Sequence, residues 1–457
     1  MWHLLVLLQA AVLPARPCEA PEAAAAQVRA ASARLLGLAE DPARAANPSV
    51  YVALRLADEH DAAREVRYLA RLKDAFQHSY NTSLQAAGWR KQPPAAPRGP
   101  APGAHHHHRG AEAAAREGRP DTGRLALYLL ALRAACQPMD AGAERFLVTW
   151  LKYFLEEDWA GSQRHGRPLT SYYQYGLGVL ALCVHRKRVR DEVVHRLLAA
   201  ERHGRLGHGG GGHAVDTEAV AGLAFACLRG AQPGSGPLAS ELREAVRGVS
   251  GRLLAAQSPD GFFGNVFSTP LAMQFFIATN ACQSEPEYRR ARAALLQSLD
   301  NFTNPMAMSQ LLPALYGRSY LDIASMRCQQ ERDTLQPISP VTQPSGPENI
   351  TVGLVVECPR RLCPRHVLYN QSVSVPAGSS LLDVLGAAPK QGHEAFTFKT
   401  QESLYGPFLT TVMKVEANWQ ERRYWQLLSA PSTSLQTGVA DYRPRDGETL
   451  ILRLSKG

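Results

Sequence analysis

One pattern limits what this chain can fold into: an apolar helix, rich in small residues and opened by a polar residue, recurs along the first two thirds of the sequence. The instances are Asn47–Leu56, Thr122–Ala134, Thr170–Cys183, Asp216–Cys227, Ser268–Ala278 and Ser309–Tyr316. The steps from Thr122 to Thr170, Thr170 to Asp216 and Asp216 to Ser268 are 48, 46 and 52 residues, a period typical of repeat architectures. The first step is longer because a Pro-, Ala-, Gly- and Arg-rich stretch, Arg90 to Asp121, lies inside it. Between the apolar helices lie amphipathic ones: Glu65–Tyr80, Ala143–Glu157, Arg188–Arg202, Ser240–Gln257 and Pro286–Leu299, with Pro21–Leu38 as a sixth. Val148, Leu151, Phe154 and Leu155 show the helical spacing of one buried face.

Six apolar helices alternating with six amphipathic ones predict a mainly α fold, a closed α/α barrel of six hairpins with the apolar set inside. Gly176, Gly178, Ala181, Gly222, Ala224 and Ala226 let the inner helices approach closely. In such a barrel the inner helices all point the same way. Their N-termini, with unpaired N–H groups and positive dipole ends, therefore collect at one mouth. Thr122, Thr170, Asp216 and Ser268 are placed there. Each alone reads equally well as an ordinary N-cap; as a set they predict a ligand bowl.

Gln329 to Asn349 is rich in Pro, Gln, Ser and Thr and reads as a linker. Beyond it the apolar period becomes two. Ile350–Cys358, His366–Val375, Ala395–Thr400, Phe408–Val415, Arg423–Leu428 and Thr449–Leu454 are predicted strands, with one short helix at Ser379–Leu385. The expected layout is a leader over 1–17, the barrel over 18–329 with a low-complexity insert at 91–120, a linker over 330–349, and a small, β-rich α+β domain over 350–457. The leader follows from the apolar run Leu4 to Leu13, too short to span a bilayer, before small residues around Ala15. It predicts an exported, soluble chain.

Eight cysteines suit an oxidising compartment, but sequence alone allows roughly a hundred pairings. Cys358 and Cys363 are a close pair with no second pair to complete a zinc site, so a local disulfide is expected there. Glycosylation triplets occur at Asn81, Asn301, Asn349 and Asn370. The net charge of +9 is scattered over amphipathic segments, with no basic stripe interleaved with aromatics. That argues for a solvated surface and against nucleic-acid binding, while leaving room for an acidic protein partner. His105 to His108 could hold a metal weakly, or be a polar run in a disordered loop.

Several long segments resemble the eukaryotic cobalamin (vitamin B12) carriers, the family of transcobalamin, intrinsic factor and haptocorrin. They are Asn47-Pro-Ser-Val-Tyr-Val-Ala-Leu-Arg-Leu, Leu125-Ala-Leu-Tyr-Leu-Leu-Ala-Leu-Arg-Ala, Thr170-Ser-Tyr-Tyr-Gln-Tyr-Gly-Leu-Gly, Val215-Asp-Thr and Gly264-Asn-Val-Phe-Ser-Thr-Pro-Leu-Ala. Gly406-Pro-Phe-Leu-Thr, Trp425-Gln-Leu-Leu and Ala440-Asp-Tyr-Arg-Pro-Arg-Asp-Gly-Glu-Thr extend the likeness to the C-terminal domain. The resemblance implies a secreted, monomeric carrier that clamps cobalamin between its two domains and hands it to a cell-surface receptor with acidic modules. It implies disulfides Cys18–Cys282, Cys136–Cys328 and Cys183–Cys227; Cys358–Cys363 has no counterpart in the family pattern.

His213, in His208-Gly-Gly-Gly-Gly-His213, resembles the transcobalamin branch, where the likeness implies a histidine that ligates cobalt on its upper face, and it argues against the alternative, an intrinsic-factor- or haptocorrin-like binder. Neutral imidazole is a good transition-metal ligand, and a glycine-rich loop can swing it into place. Without the resemblance it would read as a surface-loop histidine. The resemblance also implies that Thr170, Ser171, Tyr172, Tyr173 and Gln174 hydrogen-bond the corrin side chains. Asp216, Asn265 and Ser268 add polar contacts, and Trp425, Gln426 and Leu427 form a lid strand. Three positions depart from the pattern: Arg124 and Thr303, the latter beside Asn304, stand at or near glutamine contacts, and Gly212 replaces a second histidine. Each lost amide contact costs about 1–3 kcal/mol if its partner stays buried and unpaired. The competing class, an α/α-barrel hydrolase, needs paired carboxylates at the mouth. Only Asp216, and Asp121 beside Thr122, offer any.

Overall fold

A computed structural model describes residues 18–42, 44–86, 122–137, 144–207, 214–231, 236–326, 349–389, 395–403, 406–418, 423–435 and 437–456. Its inner helices are α2 (Pro48–Leu56), α4 (Thr122–Ala134), α6 (Tyr172–Val184), α8 (Ala214–Ala231), α10 (Thr269–Ala278) and α12 (Pro305–Leu315). The outer helices are α1 (Ala25–Ala39), α3 (Ala62–Ala86), α5 (Glu144–His165), α7 (Asp191–Arg202), α9 (Pro237–Ala255) and α11 (Pro286–Gln297). Inner helices are buried all round: every residue of α6 from Tyr175 to Val184 is shielded from solvent. Outer helices bury one face. On α7, Val193, Val194, Leu197 and Leu198 point inward while Asp191, Glu192 and His195 meet water.

Each inner helix packs against the next, α2 on α4, α4 on α6, α6 on α8, α8 on α10 and α10 on α12, and α12 returns to α2. Close approach depends on small side chains. A Cβ on Gly222 would fall 2.5 Å from Phe275 and 2.8 Å from Val249, so only hydrogen fits there. Ser49 near the start of α2 touches Met306 and Ser309 near the start of α12, at 3.3 and 3.0 Å. Adjacent inner helices thus run parallel with their N-termini at one end.

The other end, the floor, is closed by the backbone. After α4, α6, α10 and α12 a residue in the left-handed region turns the chain: Cys136, Arg186, Asn280 and Gly317. In each case the next N–H returns to a carbonyl five residues back, as from Lys187 to Leu182 at 2.9 Å. Disulfides join Cys183 to Cys227, stapling the ends of α6 and α8, and Cys18 to Cys282. Cys136 is disulfide-bonded; its expected partner Cys328 lies outside the described residues, as do the 91–120 insert, His105–His108 and residues 330–348 of the expected 330–349 linker, whose last residue, Asn349, opens β1.

The C-terminal part has its own core around Val352, Leu354, Tyr369, Leu385 and Leu452. Five strands, β1 (Asn349–Glu357), β2 (Val367–Pro376), β6 (Arg423–Ser429), β7 (Thr433–Ser434) and β8 (Thr449–Lys456), form a sheet in the order β2-β1-β8-β6-β7. A second sheet holds β3 (Phe398–Ser403), β4 (Gly406–Val412) and β5 (Val415–Glu416). The single strand expected over Phe408–Val415 is divided between β4 and β5, because Met413 and Lys414 both take positive φ and reverse the chain. The short helix α13 (Leu381–Ala387) starts with a capping box, Ser380 with Asp383. Cys358 and Cys363 are bonded across the turn between β1 and β2.

A buried ion pair braces the floor. Glu65 on α3 accepts from Arg55 of α2 at 3.1 Å and contacts His60 at 3.0 Å, while Arg55 also donates to the carbonyl of Ala134. Removing one partner strands the other charge. Glu65→Ala is expected to lower stability by about 3–5 kcal/mol in denaturant unfolding, whereas the paired replacement Arg55→Met with Glu65→Leu costs much less.

Candidate functional site

At the mouth the structure reassigns several helix starts. Ser171, not Thr170, caps α6, its hydroxyl accepting from the Gln174 N–H at 3.2 Å. Thr170 is held by buried Asp158 of α5, through its N–H at 3.0 Å and its hydroxyl at 2.9 Å. Asp216 lies in the first turn of α8 rather than ahead of it, because the helix begins at Ala214. Ser268 stands at the start of α10 but makes no side-chain cap. Asn265 caps this turn instead, its Oδ1 accepting from the N–H groups of Phe267 and Ser268 at 2.8 and 2.9 Å. The sixth inner helix begins at Pro305, four residues before the expected Ser309, with Asn304 capping it through the Ala307 N–H at 2.7 Å. Ser309 is buried between α12 and α2.

The amides at this end share one arrangement. Asn47 accepts from the Ser49 N–H at 2.9 Å, and Gln174 reaches across from α6 to accept from the Gly123 N–H of α4 at 3.3 Å. With Asn265 and Asn304, four side-chain carbonyls are thus consumed by backbone N–H groups. Amide orientation is fixed by those bonds, so each leaves an NH₂ group that makes no hydrogen bond among the described residues. The hydroxyl of Tyr172 adds a donor: it is buried and has no partner among the described residues. The mouth is therefore a ring of surplus donors, the counterpart of a ligand rich in carbonyl acceptors. Arg124 is half-buried next to Gly123, Tyr173 is half-buried, and Thr303 is exposed beside Asn304. Asp216 is buried. Gly212 and His213 lie outside the described residues.

The turn that carries Asn265 depends on Gly264. Its φ of +72° and the 2.8 Å approach a Cβ would make to Val215 at the start of α8 both require glycine.

The C-terminal part meets the same rim. Arg44, between α1 and α2, pairs with Asp441 at 3.2 Å. Arg71 of α3 steadies that connection by donating to the carbonyls of Ala39, Asp41 and Arg44. Burial pushes the Asp441 carboxyl above the usual carboxylate range, against the pull of Arg44 and Arg443. In β6, Trp425 is buried in the C-terminal core, and its indole N–H has no partner among the described residues. Gln426 accepts from Ser455 at 3.0 Å, and Leu427 packs at the core edge.

Asn47 and Asp158 were not singled out as site residues from the sequence. Asn47 was visible as a helix opener. Nothing in the sequence links Asp158 to Thr170, since the pairing depends on how α5 packs beside the start of α6.

This donor-lined end of a two-layered helical ring belongs to a ligand-binding protein, and the comparisons with known proteins agree. Residues 1–347 match the family model described as eukaryotic cobalamin-binding protein. The chain is 43% identical to transcobalamin-2 of Bos taurus over 416 residues, 89% of this chain and 88% of that one. It is 42% identical to transcobalamin-2 of Homo sapiens over 414 residues, with the same coverage. A crystal structure of haptocorrin in complex with Cbi superposes with a TM-score of 0.66 at 22% identity, covering 96% of this chain and 99% of that one. The chain belongs to the eukaryotic cobalamin-binding protein family, whose members bind and transport cobalamin rather than transform it.

The cap made by Asn265 and a ligand contact by its spare NH₂ group can be tested separately. Asn265→Asp keeps the cap and should leave the apo protein within ~0.5 kcal/mol of wild type, while Asn265→Ala should cost about 1 kcal/mol. Both remove the surplus donor, so cobalamin affinity should fall in both, read by equilibrium titration beside denaturant unfolding.

Proposed function

We propose that this chain is a secreted cobalamin carrier that closes its C-terminal part onto the mouth of the helical ring with the corrinoid between them. The observation that carries the reading is the set of amide NH₂ groups at the mouth, on Asn47, Gln174, Asn265 and Asn304. Cobalamin is a broad, largely apolar ring fringed with amide side chains, and their carbonyl oxygens are the acceptors these donors lack. Ser171, Tyr172 and Tyr173 add hydroxyls from the start of α6, Thr170 can only accept there because its hydroxyl donates to Asp158, and Asp216 and Ser268 come from neighbouring helix starts. Trp425, Gln426 and Leu427 of β6 cover the ligand from the other side, with the Trp425 indole as a donor. Arg124 and Thr303 keep the donor character of the rim where the family pattern has glutamine. The Arg44–Asp441 contact supports this reading, because it ties the C-terminal part to the rim from which α2 starts.

His213 supplies the upper axial ligand of cobalt, replacing water. The next residue in the chain, Ala214, opens α8 at the mouth. The loaded, closed form is the one a cell-surface receptor with acidic modules recognises. The leader-like Leu4 to Leu13 run and the disulfides Cys18–Cys282 and Cys183–Cys227 suit an extracellular life.

Titration with aquocobalamin tests the reading at two levels. Excess ligand should raise the melting temperature, by an amount equivalent to about 4 kcal/mol at a thousandfold excess over Kd; no rise defeats the carrier assignment. The visible spectrum should change on binding to wild type and stay water-like on binding to His213→Ala. Identical bound spectra for the two proteins defeat cobalt ligation and leave the carrier assignment standing.

A further inference from the structure

The floor of the ring carries a second feature that cobalamin binding does not use. Between α6 and α7 the chain reads His185-Arg186-Lys187-Arg188-Val189-Arg190. Two cavities flank this connection. One, of about 510 Å³, is bordered by Arg186, Lys187 and Arg188 over an apolar base that includes Val194, Leu228 and Leu238. The other, of about 410 Å³, is mixed in charge, bordered by Lys152, Arg188 and Arg190 and by Glu156, Asp191 and Glu192. Arg188, Val189 and Asp191 border both, so the two make one track across the loop.

Arg186 holds a φ of +54° at the position after a helix end where glycine is favoured. The equivalent turn after α12 does use glycine, at Gly317. Its guanidinium is exposed and makes no ion pair among the described residues. Cys136 and Asn280 hold the same conformation at the turns after α4 and α10, so what sets Arg186 apart is its exposed charge. The acidic groups on the track are largely engaged. Glu156 and Glu192 both pair with Arg190, at 3.4 and 3.1 Å, and Asp191 lies 3.9 Å from the 85% exposed Arg188. Five cations and three carboxylates border the track, so its net charge is positive, and Arg186 and Lys152 make no ion pair among the described residues.

We propose that this floor track binds a linear sulfated glycan. Consecutive cations along a groove, with no deep polar pocket to read shape, match a flexible polymer of regularly spaced sulfate and carboxylate groups. Two adjoining cavities hold successive sugar units, with Val189 and the apolar base beneath the rings. The track lies at the opposite end from the mouth, so glycan and cobalamin bind together. The proposal stands independently of the cobalamin reading.

The test uses the full-length protein, a size-defined heparin oligosaccharide and a poly-glutamate peptide as probes. Wild type should bind heparin, with log Kd rising against log salt. Arg186→Gly with Arg188→Gln should weaken binding about tenfold or more at low salt and reduce that slope by roughly two. Arg186→Gly alone should weaken heparin binding while the melting temperature holds or rises, since glycine takes the same φ without strain. Cobalamin titrations should be unchanged in both. Unaltered heparin affinity in the double variant overturns the proposal, as does a lower melting temperature in Arg186→Gly with no change in affinity. Poly-glutamate binding as tight as heparin binding would assign the track to an acidic protein instead.

Discussion

Six apolar helices with no face to give to water set the terms for the rest of this molecule. Their side chains are satisfied by one another and by the outer layer, so their unmet needs lie at the ends, where backbone N–H and C=O groups lack helical partners. The two ends meet that need differently. At the floor, the turns at Cys136, Arg186, Asn280 and Gly317 return backbone N–H groups to backbone carbonyls, and the chain closes on itself. At the mouth, the free groups are donors, and the side chains of Asn47, Ser171, Gln174, Asn265 and Asn304 answer them.

That difference is why the mouth is the end proposed to receive the corrinoid. An aspartate cap satisfies a helix start and leaves no donor, and a serine cap leaves one rotatable O–H. An amide cap uses its carbonyl on the backbone and must turn its NH₂ group elsewhere. The interaction that stabilises the helix therefore also fixes the polarity of the bowl. In the proposed site this bears on Arg124 and Thr303. A guanidinium donates only, so arginine at a glutamine position keeps the sign of the rim although it changes reach. Thr303 sits next to Asn304, whose amide already supplies a donor. The buried hydroxyl of Tyr172 and the indole N–H of Trp425 extend the same polarity into the apo protein at a cost of desolvation that a ligand acceptor would offset.

Much of this was legible in the sequence because period and composition are local properties. The 48-, 46- and 52-residue steps located the inner helices, and alternation located most strands. Helix starts were less legible. Thr170 and Ser171 are both good caps, and the choice between them is made by Asp158 on another helix. Pro305 after Asn304 was a start signal, but the small apolar run from Ser309 masked it. The Arg44–Asp441 contact joins residues 397 apart and leaves no local trace. Neither does the cluster in which Arg252 of α9 bridges Glu201 of α7 and Glu218 of α8 at 2.7 and 2.8 Å. The use to which the amides are put was also hidden, since sequence shows an Asn but not which of its atoms the backbone takes.

The Arg44–Asp441 contact bears on how the two parts work together. Both side chains are partly exposed, at 23% and 14%, and ion pairs of this kind contribute about 0–1 kcal/mol. The upward shift of Asp441 carries the same message: burial penalises the carboxylate by more than Arg44 and Arg443 return. Such a contact orients the C-terminal part over the rim without holding it firmly. In the proposed carrier, a ligand that touched both the mouth and β6 would shift the balance by its differential contact with the closed arrangement. Tight closure without ligand would bar a cargo as large as a corrinoid, and no contact at all would charge the full ordering entropy to binding. A weak, directional ion pair at the rim lies between those limits.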